Sequence, residues 1–446
     1  MTKRRGGLLH GDWSGTWPVA ETGAGVYLYD RDGRQFLDAV GGAHVVTIGH
    51  GVSEIANAMA EQARKLAYAS SRTWVNEPQL ELAELIRSRT PPGLVWVYFT
   101  SSGSEAAEMA MQLARQYHLE RNEPERHRII GRWHSYHGGT LGAVGMGGHA
   151  VHRSRLEPYL PRARHVASPQ CAHCPFDLNH PSCEIKCATD LVDAIEHAGH
   201  ETVAAFIAEP IGGTTSGALE PPTGYYESIR SICDEYGILF IADEVVTGFG
   251  RTGRDFAIQH WNAIPDLILC SKGLASGYAP LGAVVVHERV ADTIRDGTGS
   301  VSLRMTYSGH PVSCAAGLAV QRHIADLHLV DRCASMGDYL KERLTEMGKA
   351  SAFVSEVRGR GLLLAVELAA EPDRGVAFPR IERAQERVVA EAFRRGMLLM
   401  GGSGTASSPD GDHILISPPF ILTEAEGDLL VELLQQSIAA ALVEGH

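Results

Sequence analysis

No stretch of the 446 residues approaches the ~18 consecutive apolar positions that a membrane-spanning helix needs. The start, MTKRRGG, is basic but is not followed by the apolar core of a secretory signal. Positive charge is in deficit. Forty Lys and Arg stand against 53 Asp and Glu, a formal net charge of −13, which argues against nucleic acid and anionic membrane as partners and favours solubility. Eight cysteines in so long a chain do not suggest a secreted disulfide scaffold, so the expected compartment is the cytoplasm. What is present is ordinary globular composition, 44% hydrophobic and 21% charged. The length suits one large domain with a smaller one beside it.

The chain is organised around residues 237–281, GILFIADEVVTGFGRTGRDFAIQHWNAIPDLILCSKGLASGYAPL. The apolar run 238–242 lacks alternation, as a strand covered on both faces would, and Asp243 follows it at once. A second run, Leu267–Cys270, stops as abruptly at Ser271-Lys272-Gly273. Ligands of parallel sheets sit beyond the carboxyl ends of the strands, so an acid and a lysine there read as ligand-facing groups. Gly248, Gly250, Gly253, Gly273 and Gly277 around them allow tight turns and close backbone approach. A pyridoxal ring wants such a pair: the amine forms a Schiff base with the aldehyde, and the carboxylate holds a proton on the ring nitrogen. Taken alone, the pair leaves a plain surface salt bridge equally open.

The order and spacing of DEVVTGFGRTG and SKGLASGYAPLGA resemble class III (omega-type) pyridoxal-phosphate aminotransferases, and the resemblance extends over roughly 25–423. It implies an α/β fold, that of the fold-type I PLP-dependent transferases: a large domain with a mainly parallel sheet and a small α/β domain built from both chain ends. The expected division is 1–65 for the N-terminal part of the small domain, 66–320 for the large cofactor-binding domain and 321–446 for the rest of the small domain. The resemblance also implies that Lys272 carries pyridoxal 5'-phosphate and that Asp243 pairs with its ring nitrogen.

Other motifs fall into this frame. VYLYDRDGRQFLD alternates around Asp32-Gly33 and predicts a β-hairpin. The segment 79–89 is helix-like, and VWVYFTSSGSEAAEMAMQLARQY reads as strand, Ser/Gly turn and long helix. Free N–H groups and the positive dipole end at that helix start make a phosphate site. A serine N-cap with Glu105 in the first turn accounts for the same residues, and both can hold at once. By resemblance, Gly103 and Ser104 grip the cofactor phosphate, Tyr136 of Tyr136-His137-Gly138-Gly139-Thr140 stacks on the ring, and Val245 packs on its other face. Tyr136 as a core aromatic is the alternative. His137 either touches the cofactor or orients the loop. Thr306, in TYSGHP, would reach across a homodimer to the partner's phosphate; an N-cap role would need no partner.

Glu209, just past a buried strand, shapes the site at one remove, while an acidic gate of glutamate-handling relatives is absent from Gly212-Gly213-Thr214. Where many amine-type relatives carry a pocket tryptophan, this chain has His44, read as a satisfied, partly buried residue. The two arginine clamps by which relatives read carboxylates are also missing: Gly139 occupies one place and Gly401 or its neighbours the other. Arg153, Arg304 or Arg358 could substitute. His44, Trp74, Tyr136 and a loop at 401–413 would shape the pocket, the small polar tip SGTASSPDGD being flexible. A Cys-rich insertion, 168–190, spaces Cys171-x2-Cys174-x8-Cys183-x3-Cys187 with His173 and His180 between. These thiols could bind structural zinc or simply line the insertion, and no residue is assigned to a metal.

The expected activity is transfer of an amino group from an amine or (omega-)amino acid to an oxo acid, a ping-pong cycle through a Lys272 Schiff base. Racemase, epimerase or decarboxylase chemistry of the same family is the alternative.

Overall fold

The structure is a computed structural model and describes residues 17–161, 164–302, 304–407 and 410–442. Its centre is a seven-stranded sheet in the order Leu94–Thr100, Gly282–His287, Leu267–Cys270, Leu239–Asp243, Val203–Ala208, Arg128–Arg132, His165–Val166. The last five run parallel to one another. Gly282–His287 is antiparallel to both its neighbours, so Leu94–Thr100 points the same way as the five. Val203–Ala208, Leu239–Asp243 and Leu267–Cys270 are buried at every position, which is why their sequences show no alternation.

Alternate residues of these strands feed two different cores. Leu239, Ile241, Leu267 and Leu269 pack with Ala106, Ala110 and Leu113 of the helix Gly103–Glu120. Phe240, Ile268 and Phe206 face the other way, against Tyr226 and Ile229 of Tyr225–Tyr236 and Leu191 and Ile195 of Lys186–Ala198. Helices therefore cover both faces, the arrangement a mainly parallel sheet requires.

A third core joins the two chain ends. Val26, Leu37, Ile48 and Ile55 are buried with Leu340, Leu364, Ile414 and Leu430. The hairpin Tyr27–Asp30 and Gln35–Asp38 turns at Gly33, whose φ of +80° suits glycine, and Met397–Leu398 adds to it in parallel. A second sheet contains Val354–Arg360, Leu363–Glu371, Asp410–Ile416 and Met400–Ser407. Residues 401–413 are thus largely two antiparallel strands rather than a loop. Their Gly- and Ser-rich sequence hides a pairing that the buried partner strand imposes. Ser408 and Pro409 of the predicted flexible tip lie outside the described residues, as do residues 1–16, on which the reading of the chain start falls. No helix among the described residues is long and apolar enough to cross a membrane.

Candidate active site

Five strand ends point to one place. Asp243 is the last residue of Leu239–Asp243 and sits opposite Leu269, three residues before Lys272. Ser101–Ser104 follow Leu94–Thr100, Tyr136 and His137 follow Arg128–Arg132, and Glu209 follows Val203–Ala208. This is the carboxyl edge, where α/β sheets hold ligands.

Asp243 is buried, with 4% of its surface exposed, and both its oxygens are held. Oδ2 accepts the Nδ1–H of His137 at 2.7 Å, and Oδ1 accepts the Val245 N–H at 3.1 Å. His137 therefore orients the carboxylate, and its Nε2 is buried without a hydrogen-bond partner among the described residues. Lys272 opens a short 3₁₀ turn with φ +43°, a left-handed conformation that a non-glycine residue adopts at a cost. Burial pushes its amine down to about 8, against the opposing pull of Asp243 and then Glu209. An amine so placed is in part neutral, and so nucleophilic, near neutral pH.

The Ser/Gly turn caps its helix and leaves donors over. Ser102 Oγ accepts the Glu105 N–H at 3.2 Å while Glu105 Oε2 accepts the Ser101 N–H at 2.7 Å, a reciprocal cap. The N–H groups of Gly103 and Ser104 point from the helix start and make no hydrogen bond among the described residues. A Cβ at Gly103 would meet Val245 Cγ1 at 2.9 Å and Ser271 Cβ at 3.6 Å, so this turn abuts the strand ends that carry Asp243 and Lys272. A Cβ at Gly138 would meet Ser104 Oγ at 2.6 Å, and Ser104 Oγ already accepts the Gly139 N–H at 3.0 Å. The helix start, the Tyr136 loop and the Val245 turn are thereby packed into one cradle that tolerates only glycine at its closest points. Tyr136 keeps 42% of its surface exposed and meets His152 edge-on at 5.5 Å, so it is not a core aromatic.

Glu209 does more than its sequence position suggested. Its Oε2 accepts the Tyr136 N–H at 3.3 Å and its Oε1 the Gly213 N–H at 3.1 Å. Burial pushes its carboxyl up, while His137 pulls the other way. His44 is fully rather than partly buried, its Nδ1 2.6 Å from Ser417 Oγ and its Nε2 3.2 Å from Thr214 Oγ1. Burial and the nearby Lys272 hold it well below its ordinary value, so it is neutral.

Two of the three candidate carboxylate readers are already engaged. Arg153 donates to the carbonyls of Val144, Gly145 and Gly147 at 2.9 to 3.2 Å. Arg358 is paired with Glu356 and Glu367. Arg304 is exposed. Thr306 is exposed as well, its carbonyl accepting the Tyr68 hydroxyl at 3.0 Å. The following helix starts at Pro311 with His310 as its cap, so Thr306 caps nothing. No hydrogen bond among the described residues joins it to the cluster around Lys272. Cys171, Cys174, Cys183 and Cys187 are free thiols, and among the described residues no group of three or more His, Cys, Asp or Glu side chains is placed to hold a metal ion.

Arg251 went unassigned in the sequence, although it lies in the GRTG motif. It is fully buried and donates to the carbonyls of Val46, Leu362 and Pro418 at 2.6 to 3.0 Å, tying both chain ends to the turn beyond Asp243.

Comparison with known proteins supplies the family. The family model for Aminotransferase class-III matches residues 13–438. The chain belongs to the class-III aminotransferases. It is 36% identical to the putrescine–pyruvate aminotransferase of Pseudomonas aeruginosa over 432 residues, covering 94% of this chain and 90% of that one. It is also 36% identical over 436 residues to an uncharacterized aminotransferase of Bacillus subtilis, covering 97% of each. Among solved structures, an amine transaminase from an uncultivated Pseudomonas species, in its PLP-bound form, superposes with a TM-score of 0.90 at 34% identity, covering 99% of both chains. As a class-III aminotransferase the chain is an enzyme, and its α/β architecture is that of its structural neighbours.

Proposed function

We propose that this class-III aminotransferase uses pyridoxal 5'-phosphate to move an amino group from an amine or omega-amino acid to an oxo acid by a ping-pong cycle. The observation that carries the reading is Lys272: a partly neutral amine at a strained turn, facing a buried, doubly held carboxylate beside a helix start with free N–H groups.

The donor set fits that cofactor. Gly103 and Ser104 offer backbone N–H groups to a phosphate, and the glycine-only cradle gives it close approach. Tyr136 offers an exposed ring to stack on and Val245 an apolar side chain for the other face. Bound there, the group supplies an electron sink for the carbon that loses its proton. Lys272 Nζ binds the cofactor, then takes and returns that proton as general base and acid. Asp243, oriented by His137, holds a proton on the ring nitrogen. Glu209 fixes both Tyr136 and Gly213. We assign Thr306, exposed on one subunit, to the phosphate of the partner in a homodimer.

Donors without a carboxylate near the reacting carbon are favoured because Arg153 and Arg358 are already committed. The name of the Pseudomonas aeruginosa relative, a putrescine–pyruvate enzyme, is in keeping with such donors. The domain division at 65 and 320 and a cytoplasmic location are part of the same reading, the latter supported by eight free thiols.

The test is the visible spectrum of the protein loaded with pyridoxal phosphate while amines and amino acids are added singly. Loss of the cofactor band with one donor and its return with an oxo acid is the expected result. A band that persists while an enantiopure amino acid loses optical rotation would replace transfer by isomerisation. Failure to take up the cofactor would end the reading.

A further inference from the structure

The Cys-rich segment, which the aminotransferase reading leaves without a role, reaches the site through charge. His173 Nε2 lies 2.7 Å from Glu367 Oε1 on the strand Leu363–Glu371. The other oxygen of Glu367 binds Arg358, which also pairs with Glu356 at 2.6 Å. Glu367 and Arg358 are both buried. Burial alone would raise the Glu367 carboxyl, but the bonds from His173 and Arg358 outweigh it and hold the group down to about 2.

Arg358 gives the rest of its guanidinium to the backbone that follows Glu209. Its Nε donates to the Gly217 carbonyl at 2.6 Å and its Nη2 to the Ser216 carbonyl at 3.3 Å. A Cβ at Gly217 would meet Arg358 Nη2 at 2.8 Å and His413 Cγ at 2.8 Å, so the loop sits directly on these two side chains. His413 Nε2 donates to the Thr214 carbonyl at 2.9 Å, and the Thr214 hydroxyl faces His44, the neutral imidazole beside Lys272. A continuous chain of polar contacts and backbone thus runs from the insertion to His44, whose imidazole feels the charge of Lys272.

We propose that His173 is a positioning residue for the amino-transfer reaction: by holding Glu367 it keeps Arg358 on the 216–217 carbonyls and so fixes Thr214 and His44 on the substrate side of Lys272. The physical reason is the shared carboxylate. Glu367 is divided between an imidazole and a guanidinium in a buried place, and without His173 its Oε1 has no donor. Arg358 is then drawn further onto Glu367 and Glu356 and off the carbonyls. His173 is itself accessible on one side, where it lines an open cavity of about 870 Å³ with Trp133 and His134. Its replacement therefore leaves the hydrophobic cores untouched. The Cys-rich insertion becomes a brace for the substrate loop.

This inference rests on the reading of Lys272 as the reacting amine, and its test separates the two. His173→Ala and His173→Gln are compared with wild type in the cofactor-loaded enzyme, Gln retaining an N–H donor near the position of Nε2. Hydrogen–deuterium exchange of the peptide covering 212–217 is expected to speed up in His173→Ala and to return towards wild type in His173→Gln. The KM for the amine donor is expected to rise about 10-fold in His173→Ala with kcat little changed, and to recover in His173→Gln. Equal exchange in wild type and His173→Ala overturns the proposal whatever the activity. So does a loss confined to kcat, or one that Gln does not rescue. Faster exchange in a protein with no transaminase turnover supports the brace and overturns the transaminase reading on which it rests.

Discussion

His137 gives its Nδ1–H to Asp243 Oδ2 at 2.7 Å, and neither side chain has more than a few per cent of its surface in contact with solvent. A carboxylate held on one side by an imidazole N–H and on the other by the Val245 N–H has its direction set before any ligand arrives. In the proposed function, that preorganisation would let a single Asp control a ring nitrogen without a second charge. Asp243→Asn keeps the shape and removes the charge, and is expected to lower turnover by about 100-fold or more while cofactor uptake persists. His137→Ala leaves a buried carboxylate oxygen without its donor, at a cost of about 1–3 kcal/mol in stability. Denaturant unfolding of the apoprotein reads the second effect and steady-state kinetics the first. An Asn variant with wild-type turnover would remove Asp243 from the chemistry.

Lys272 sets a pH dependence whose direction follows from burial. Its amine is lowered to about 8, so below that pH it is mostly protonated and cannot attack an aldehyde, and above it the neutral form dominates. The rate at which apoprotein captures pyridoxal phosphate should therefore rise with pH and level off above a midpoint near 8. Stopped-flow absorbance at several pH values gives the midpoint. A midpoint at the value of a free lysine would mean that burial does not act on this amine. Lys272→Ala should show no capture band, and its turnover should fall by about 1000-fold or more.

The glycine cradle predicts steric rather than electrostatic failures. At Gly138 the backbone has φ +137°, and a methyl group would lie 2.6 Å from Ser104 Oγ. Gly138→Ala must displace either the helix start or the Tyr136 loop, an overpacking of about 1–3 kcal/mol that should appear as roughly 10- to 100-fold weaker cofactor binding. Gly33, also at positive φ, has nothing within 4 Å of such a methyl group. Gly33→Ala carries backbone strain alone and should leave cofactor affinity unchanged. Titration of the apo variants with pyridoxal phosphate compares them.

Arg358 separates a structural arginine from a substrate clamp. It neutralises buried Glu367 and pairs with Glu356, so Arg358→Met strands buried negative charge and should cost about 3–5 kcal/mol in stability. A clamp would behave in the opposite way, with normal stability and a selective loss of affinity for carboxylate substrates. Thermal unfolding of the apoprotein, read beside KM values for an amine and an amino acid, distinguishes them.

These residues also show where sequence reading reaches and where it stops. Lys272, Asp243, Gly103, Ser104 and Tyr136 stand at the ends of short apolar runs or at glycine turns, and the local signal is enough to bring them to one sheet edge. The sheet itself is legible for the same reason, because strands covered on both faces write continuous apolar runs. Arg251, Arg358 and the His44–Thr214–Ser417 cluster act between segments 141 to 373 residues apart, with partners at Val46, Gly217 and Ser417. Nothing local marks an arginine as buried. The strand Met400–Ser407 was hidden for a related reason: its small residues lack an apolar pattern, and its pairing comes from Asp410–Ile416.

Thr306 provides the test of a shared site. It is exposed, caps no helix and makes no hydrogen bond to the Lys272 cluster within its own chain among the described residues, as a residue serving a partner would be. If it serves the partner, a dimer of one Lys272→Ala subunit and one Thr306→Ala subunit contains one doubly damaged site and one intact site. Random pairing puts half of the dimers in that class, so co-expression should give roughly a quarter of wild-type activity plus about a quarter of that of Thr306→Ala alone. If Thr306 serves its own subunit, each site in the mixed dimer carries one lesion and the mixture shows only about half the activity of Thr306→Ala alone. Recovery on co-expression, measured against each variant expressed alone, therefore decides whether Thr306 serves the partner's site, as proposed, or its own.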